Sequence, residues 1–155
     1  MALKSLDQLR SFRNMMLRIR NVLLRKQGVV LGEGPSISLS SRFVTSPGAE
    51  IRVGDRTLVA FKTLITTRAG GGPPRRVAIG SHCFIGGGSM ILPGVTIGDE
   101  CIVAAGAVVF EDVPPRSIVA GNPGRILRRD IEVGPFGELK SADETSRRIG
   151  ADKFR

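Results

Sequence analysis

The spacing of apolar residues along the chain changes near Gly28. Before this residue, apolar side chains recur three or four positions apart, at Leu9, Phe12, Met16, Ile19 and Leu23. Such spacing predicts an amphipathic helix over residues 5–27. Ser5 and Gln8 have capping-box spacing at its start, and Gly28 is suited to end it. We therefore expect an N-terminal unit, residues 1–28, whose apolar stripe covers one end of the domain.

The other side of this helix is basic, with Arg10, Arg13, Arg18, Arg20 and Arg25. Two interpretations are open. Either these arginines are only solvated, or the basic face also rests on anionic lipid headgroups or a lipid-linked substrate.

Beyond Gly28, branched aliphatic residues recur every six positions, a period of neither a helix nor a hairpin. The clearest run is Ile79, Ile85, Ile91, Ile97, Val103 and Val109. Four positions after these come the small or β-branched residues Cys83, Ser89, Val95, Cys101, Ala107 and Val113. A short, fixed period of this kind indicates a repeat architecture.

A six-residue period has a direct geometric meaning. A short strand and a two-residue corner return the side chain to the same direction on the next face, so three faces make a coil of about 18 residues. Ile79 then stacks on Ile97, and Cys83 lies beside Cys101 in the next coil. We expect an all-β protein built as a parallel β-helix, with both cysteines as structural thiols.

The same register continues upstream through Val53, Val59 and Ile65, and more loosely through Leu31, Ile37 and Phe43. It is interrupted twice, around residues 46–52 and again between Ile65 and Ile79. The second insertion is rich in Gly, Pro and Arg and cannot lie inside the triangular prism that the three faces of the coils enclose. We therefore expect a β-helix domain over residues 29–129 with a protruding loop at 66–76, a position where function is common.

Composition narrows the class of protein. The chain has 155 residues, enough for one domain, and only 5% are aromatic, so the core is expected to be aliphatic. One histidine and two cysteines are a poor set of metal ligands, and no metal is expected. No apolar stretch is long enough for a membrane span or a signal peptide, so a cytoplasmic protein, possibly membrane-associated, is expected.

The formal net charge of +9 calls for an acidic partner, which is a nucleic acid, a phosphate-bearing cofactor or an anionic membrane. Nucleic acid is disfavoured because few aromatic residues are present to stack on bases and no recognition motif is visible. Much of the charge lies in the N-terminal helix, in the loop with Arg68, Arg75 and Arg76, and in the cluster 125–129.

Residues 79–128 read IGSHCFIGGGSMILPGVTIGDECIVAAGAVVFEDVPPRSIVAGNPGRILR. This segment resembles the hexapeptide-repeat acyltransferases, in the branch that acetylates sugars, polysaccharide precursors and xenobiotics. The resemblance rests on ILPGVTIGD, the DVPP corner and the closing SIVAGNP. It implies a left-handed β-helix, a homotrimer, and acetyl-CoA bound between neighbouring subunits. The left hand comes from the resemblance alone, because the general preference for parallel crossovers is right-handed.

The resemblance also implies site residues. Gly87 and Ala105, with Gly106 beside the latter, match positions whose backbone approaches the pantetheine arm, where a bulky side chain would block access. Arg128 matches a position that meets the CoA phosphates, and Arg125 and Arg129 lie close to it in sequence. The loop arginines Arg68 and Arg75 fall where a phosphorylated sugar would lie. The alternative is that Gly87 only forms a corner of the coil and that these arginines are only solvated.

The chain departs from the family pattern at two places. Phe110 and Glu111 stand where sugar-acetylating relatives often carry Thr-Lys, and residues 66–68 contain no histidine where much of the branch has its catalytic one. His82 is the only imidazole available as general base for attack on the thioester. It is either that base or an exposed corner residue without chemistry. Asp55, Asp99, Glu111 or a solvent-deprotonated amine are the other candidates.

The resemblance implies transfer of an acetyl group from acetyl-CoA to a hydroxyl or amine of a sugar or sugar nucleotide, in surface-polysaccharide synthesis. The alternative is a catalytically silent trimeric scaffold that binds CoA or a partner. A zinc site like that of the carbonic anhydrases with this fold would need three histidines. Residues 130–155 lose the period, and a loose tail or short helix lying on a neighbouring subunit is expected.

Overall fold

The computed structural model describes the backbone of residues 2–140 and the side chains of residues 11–140. One helix, α1, precedes a series of short strands and a final 3-10 turn at Pro135–Gly137. The bounds are α1 Ala2–Lys26, β1 Val29–Leu31, β2 Ser36–Ile37, β3 Arg42–Val44, β4 Ile51–Val53, β5 Leu58–Val59, β6 Leu64–Thr66, β7 Val77–Ile79, β8 Phe84–Ile85, β9 Met90–Ile91, β10 Thr96–Ile97, β11 Ile102–Val103, β12 Val108–Val109, β13 Ile118–Ala120 and β14 Arg125–Arg128.

The strands form three sheets that are the faces of a prism. Sheet A contains β1, β4, β7 and β10; sheet B contains β2, β5, β8, β11, β13 and β14; sheet C contains β3, β6, β9 and β12. Strands of successive coils pair in parallel, and β14 returns antiparallel to β13. Ile79 pairs with Ile97, as the six-residue period predicts. The fold is the expected left-handed parallel β-helix with one N-terminal helix.

The core of the prism is a column of aliphatic side chains. The predicted isoleucines and valines of the repeat are buried, and the buried Thr57 hydroxyl donates a hydrogen bond to the Gly80 carbonyl at 2.8 Å. Cys83 and Cys101 are buried and free, each with its thiol near a backbone carbonyl. A hydrogen bond with Cys101, together with burial, raises the pKa of the Cys83 thiol far above its ordinary value. Its burial in the prism agrees with the structural role expected of this thiol.

Turns of successive coils stack into three columns at the corners of the prism. Corner 1, between sheets A and B, contains the turns 33–34, 55–56, 81–82, 99–100 and 115–116. Corner 2, between sheets B and C, contains the turns 39–40, 61–62, 87–88 and 105–106. Corner 3, between sheets C and A, contains the connections 45–50, 67–76, 92–95 and 110–112. Each candidate residue can be assigned to one of these corners.

Helix α1 covers the first coil, but with a different face from the predicted one. Leu24 is buried and Leu17 is half-buried, as is Met16 of the predicted stripe. Phe12, Ile19 and Leu23 of that stripe are about half exposed or more, and the side chain of Leu9 lies outside the described residues. The prediction of the packed face is wrong because open carbonyl groups at this end of the prism accept hydrogen bonds from arginine: Arg20 donates to Ser41 and Arg25 to Leu31.

The bounds of α1 also differ from the prediction. The helix begins at Ala2, so Ser5 lies inside it and does not cap it. Gly28 follows its end with a φ of +84°, the left-handed conformation expected of a stop residue. Within the part of the chain that the structure describes, no helix has the length and apolar character to cross a membrane.

Residues 130–140 pack on their own prism, contrary to the expectation of contact with a neighbour. Ile131 and Val133 are buried, and the Phe136 amide donates to the Arg56 carbonyl at 2.9 Å. A Cβ on Gly137 would stand 2.5 Å from the Phe84 backbone nitrogen, so the segment lies tightly against sheet B. It descends along corner 1, the corner of His82. Residues 141–155 of the predicted tail lie outside the described residues.

Candidate active site

Corner 2 brings Gly87, Ala105 and Gly106 into one column. Gly106 donates a backbone hydrogen bond to the Gly87 carbonyl at 3.0 Å, and Gly88 donates to the Phe61 carbonyl at 2.9 Å. Gly88 and Gly106 have φ values of +70° and +71°, so glycine is favoured at this repeated turn. Three of the residues predicted to approach the pantetheine arm are therefore stacked neighbours.

The upper part of this column is open to solvent. Ala105 and Gly106 are exposed, and a Cβ on Gly106 would have no heavy atom within 4 Å. Backbone groups at such an edge are accessible to a slender ligand, because no side chain larger than a methyl group stands over them. The arrangement suits a linear, amide-containing chain lying along the prism.

Phe61 is a corner 2 residue that the sequence analysis missed. A Cβ placed on Gly87 would stand 2.8 Å from the Cζ atom of Phe61, so the absent side chain makes room for this ring. The ring is 62% exposed. The six-residue register could have identified Phe61. Val59 pairs with Ile85, so the turns 61–62 and 87–88 that follow them are stacked. The absence of a side chain at Gly87 therefore makes room for the Phe61 ring, a role that is separate from the predicted contact with the pantetheine arm.

A groove of about 640 Å³ begins at Phe61 and runs between α1 and sheet B. Its walls combine hydroxyl groups with apolar surface and include Arg13, Asn14, Ser36, Ser38, Leu39, Ser40 and Leu58. The groove and the open column share the Phe61 ring. Two ligand-sized surfaces therefore meet at corner 2.

The predicted phosphate-binding arginines lie at different distances from corner 2. Arg125 pairs with Ala120 where β14 begins, directly after the turn that bonds to Val108 at the start of β12. Arg128 pairs with Ile118, three positions along the strand and roughly 10 Å away. Both are exposed. The structure places the backbone of Arg125 at the end of the corner 2 column, with its guanidinium extended towards Glu111 of corner 3, and Arg128 towards corner 1.

His82 lies at corner 1, away from the open column. Its backbone has a φ of +56°, and its amide donates to the Asp55 carbonyl at 2.8 Å. Six positions of chain separate it from Gly88, so the two corners are roughly 15–20 Å apart. The half-buried imidazole does not meet Ala105 within one chain.

Two of the alternative bases have structural hydrogen bonds at corner 1. An Oδ1 oxygen of Asp99 accepts from the Ser81 amide at 2.7 Å, and that of Asp55 accepts from the Glu33 amide at 2.6 Å. These bonds join successive coils. Glu111 is highly exposed and its carboxylate lies 4.0 Å from the Arg125 guanidinium, a separation at which an exposed ion pair contributes little.

The loop 67–76 is built on a buried base. Thr67 is buried, and the Arg75 amide closes the loop by donating to the Thr67 carbonyl at 2.7 Å. Arg68 is exposed, while the Arg75 guanidinium lies over Gly94 at corner 3. A cavity of about 410 Å³ lies beside the loop, lined by Ala69, Gly72, Pro73, Arg75, Leu92, Pro93 and Phe110.

The predicted site residues are thus distributed over three corners. Corner 2 holds Gly87, Ala105, Gly106 and Arg125; corner 1 holds His82; corner 3 holds Arg68 and Arg75. Among the residues that the structure describes, no group of three His, Cys, Asp or Glu side chains is placed to hold a metal ion.

Comparisons with known proteins agree with this architecture. The family described as hexapeptide repeat of succinyl-transferase matches residues 76–111. A Saccharomyces cerevisiae protein provisionally named as an acetyltransferase, YJL218W, is 46% identical over 56 residues, which are 36% of this chain and 29% of that protein. The match therefore spans under a third of the length of this relative.

Two solved structures extend the similarity to the fold. The hexapeptide-repeat acetyltransferase VCA0836 from Vibrio cholerae O1 biovar eltor, in complex with acetyl coenzyme A, is 33% identical, with a TM-score of 0.60 over 66% of this chain and 60% of that one. A maltose O-acetyltransferase from Clostridium difficile 630 is 26% identical, with a TM-score of 0.51 over 73% and 75%. The resemblance to hexapeptide-repeat acyltransferases is confirmed.

Proposed function

We propose that the protein is an acetyltransferase that moves an acetyl group from acetyl-CoA to a hydroxyl or amine of a sugar or sugar nucleotide, in surface-polysaccharide synthesis. The observation that carries the proposal is the open column of Ala105 and Gly106, with Arg125 at its end. The similarity to an acetyltransferase solved with acetyl-CoA supports the donor. The similarity to a maltose O-acetyltransferase supports a saccharide acceptor.

In this proposal the pantetheine arm lies along corner 2. Its amides bond to the exposed backbone beside Ala105 and Gly106, and the CoA phosphates contact Arg125 through charge-assisted hydrogen bonds. Arg128 extends the positive surface farther from the column. The loop residues Arg68 and Arg75, at corner 3, would bind the phosphate groups of an activated sugar that extends beyond corner 2.

The reaction joins the acceptor oxygen or nitrogen to the carbonyl carbon of the thioester. Its tetrahedral intermediate then collapses with cleavage of the C–S bond, giving the acetylated acceptor and free CoA. The proton leaves the attacking group for a general base and is returned to the CoA sulfur. His82 is the proposed base, because an imidazole has a pKa near neutrality and is present once in the chain.

The distance between corners 1 and 2 requires a second subunit. Roughly 15–20 Å separate His82 from the open column of the same chain, far beyond the contact distance that proton transfer needs. A homotrimer whose active sites lie between subunits would bring corner 1 of one chain to corner 2 of its neighbour. The assembly and the catalytic role of His82 are therefore one linked proposal.

Release of free CoA thiol tests the function. Purified protein is mixed with acetyl-CoA and a panel of aminosugars, oligosaccharides and nucleotide sugars, and the thiol is measured with and without each acceptor. Acceptor-dependent release, together with a mass increase of one acetyl group on the acceptor, is expected. Absence of release with every acceptor while CoA still binds would favour the alternative, a silent scaffold.

That alternative has its own structural support. The loop 67–76 contains no histidine, and His82 lies beside residues 130–140, which cover part of corner 1. A trimeric scaffold that binds CoA without turnover requires only the column at corner 2. Measuring CoA affinity and turnover on the same preparation separates the two functions.

A further inference from the structure

One face of α1 carries large apolar side chains that are about half exposed or more. Met15 and Ile19 are 49% and 48% exposed, and Val22 is 55% exposed. Phe12 and Leu23 extend the same face, at 59% and 50% exposure. We call Phe12, Met15, Ile19, Val22 and Leu23 the outer face of α1. A contiguous apolar patch of this kind is uncommon on a soluble protein unless it meets a partner or a membrane.

The opposite face of the helix already has a partner. Leu24 is buried, Leu17 is half-buried, and Arg20 bonds to the Ser41 carbonyl, all against the first coil of the prism. These residues lie on the side of the helix away from Met15 and Val22. The outer face is therefore held outward and is not an unpacked part of the core.

The charge around the outer face selects its partner. Arg18 and Lys26 are exposed beside it, and residues 11–27 contain no Asp or Glu. Pairing of two such helices from two copies of the chain would bring like charges together with no carboxylate on either helix to offset them. An anionic surface offsets them directly.

We propose that α1 docks on the surface of an anionic lipid bilayer, with its outer face at the boundary between headgroups and acyl chains. The arginine and lysine side chains bond to lipid phosphates, which is the usual arrangement of an interfacial amphipathic helix. Because α1 covers the first coil, the axis of the prism would then stand with that coil towards the membrane. This inference is independent of the proposed acetyltransferase function.

Sedimentation with lipid vesicles tests the proposal. The full chain is mixed with vesicles of phosphatidylcholine alone or with added phosphatidylglycerol, and the bound fraction is measured at low and high salt. We expect binding to the anionic vesicles that weakens with salt and is at least about tenfold stronger than binding to neutral ones. Absence of binding to anionic vesicles would overturn the proposal.

A triple variant tests whether vesicle binding depends on the outer face of α1 or is a non-specific property of the protein surface. Ile19→Gln, Val22→Gln and Leu23→Gln together should weaken vesicle binding about tenfold or more, while far-ultraviolet circular dichroism and the unfolding temperature stay unchanged. The matched control is Leu127→Gln on β14, where the side chain is 69% exposed. This control should bind like the wild type. A triple variant that binds vesicles normally but changes its mass in sedimentation equilibrium would assign the face to a second copy and refute lipid docking.

Discussion

Phe61 lies over Gly87, so that a Cβ on this glycine would stand 2.8 Å from the Cζ atom of the ring. The ring is exposed and can rotate away, and we expect Gly87→Ala to cost less than about 1 kcal/mol of unfolding free energy. Gly80 is the contrasting case, because a Cβ there would stand 2.6 Å from the Asp99 backbone nitrogen. Gly80→Ala is expected to cost about 2–3 kcal/mol, since the backbone of the next coil cannot move aside.

Denaturant unfolding of the two variants measures this difference. The double variant Phe61→Ala and Gly87→Ala serves as a control, because removal of the ring abolishes the contact. Its stability should equal that of Phe61→Ala alone. Equal losses for Gly87→Ala and Gly80→Ala would mean that the Phe61 ring is rigid and that the groove beside it has a fixed wall.

Arg125 and Arg128 are expected to differ in their contribution to CoA binding. Arg125 lies at the end of the corner 2 column, and Arg128 lies roughly 10 Å away along β14. Arg125→Gln should therefore weaken CoA about tenfold, the effect of one charge-assisted phosphate contact, while Arg128→Gln has a smaller effect. Calorimetric titration with CoA measures both.

The ligand supplies the control for this comparison. Acetyl-pantetheine carries the same thioester arm without the CoA phosphates, so neither arginine variant should change its binding. A larger loss for Arg128→Gln than for Arg125→Gln would show that the phosphates follow sheet B towards corner 1.

Ala105→Trp should block the open column. Ala105 is exposed at the corner and its φ is not in the left-handed region, so the larger side chain costs no backbone strain. We expect CoA affinity to fall by at least about tenfold, with no change in the unfolding temperature. Thr96→Trp, at an exposed position on sheet A, the face opposite corner 2, is the matched control and should bind CoA normally. Normal CoA binding by Ala105→Trp would show that the column at corner 2 is not part of the CoA-binding site.

The repeat could be predicted from the sequence because its physical cause is local. One aliphatic residue every six positions determines which side chains fill the prism, and the pairings of Ile79 with Ile97 and Ile85 with Val103 follow directly. The same counting assigns Gly87 and Ala105 to one column. It also places His82 at another corner, because six positions separate it from Gly88.

The orientation of α1 could not be predicted in the same way. Its sequence has an apolar stripe, and burial of that stripe is the normal expectation for a helix on a core. The first coil, however, presents carbonyl groups such as that of Ser41, and their need for donors brings Arg20 inward. Such acceptors exist only once the coil is folded, so the helix pattern alone contains no signal for them.

Mixed assemblies test whether His82 acts across a subunit boundary. His82→Ala and Ala105→Trp should each abolish acetyl transfer in a homogeneous preparation. If the active site takes His82 from one chain and Ala105 from its neighbour, a chain of each kind together forms one intact site. Random assembly from equal amounts then restores roughly a quarter of the wild-type rate, because each of the two positions is intact with a chance of one half.

The two variants are unfolded together, refolded and assayed by thiol release, with separately refolded variants mixed afterwards as the control. A rate near zero in the co-refolded sample, with CoA binding retained by His82→Ala, would contradict a site shared between subunits. Full activity of His82→Ala alone would instead show that His82 is not the general base. The quarter of the wild-type rate is expected only if corners 1 and 2 of different chains meet, which the separation of about 15–20 Å within one chain requires of any mechanism based on His82.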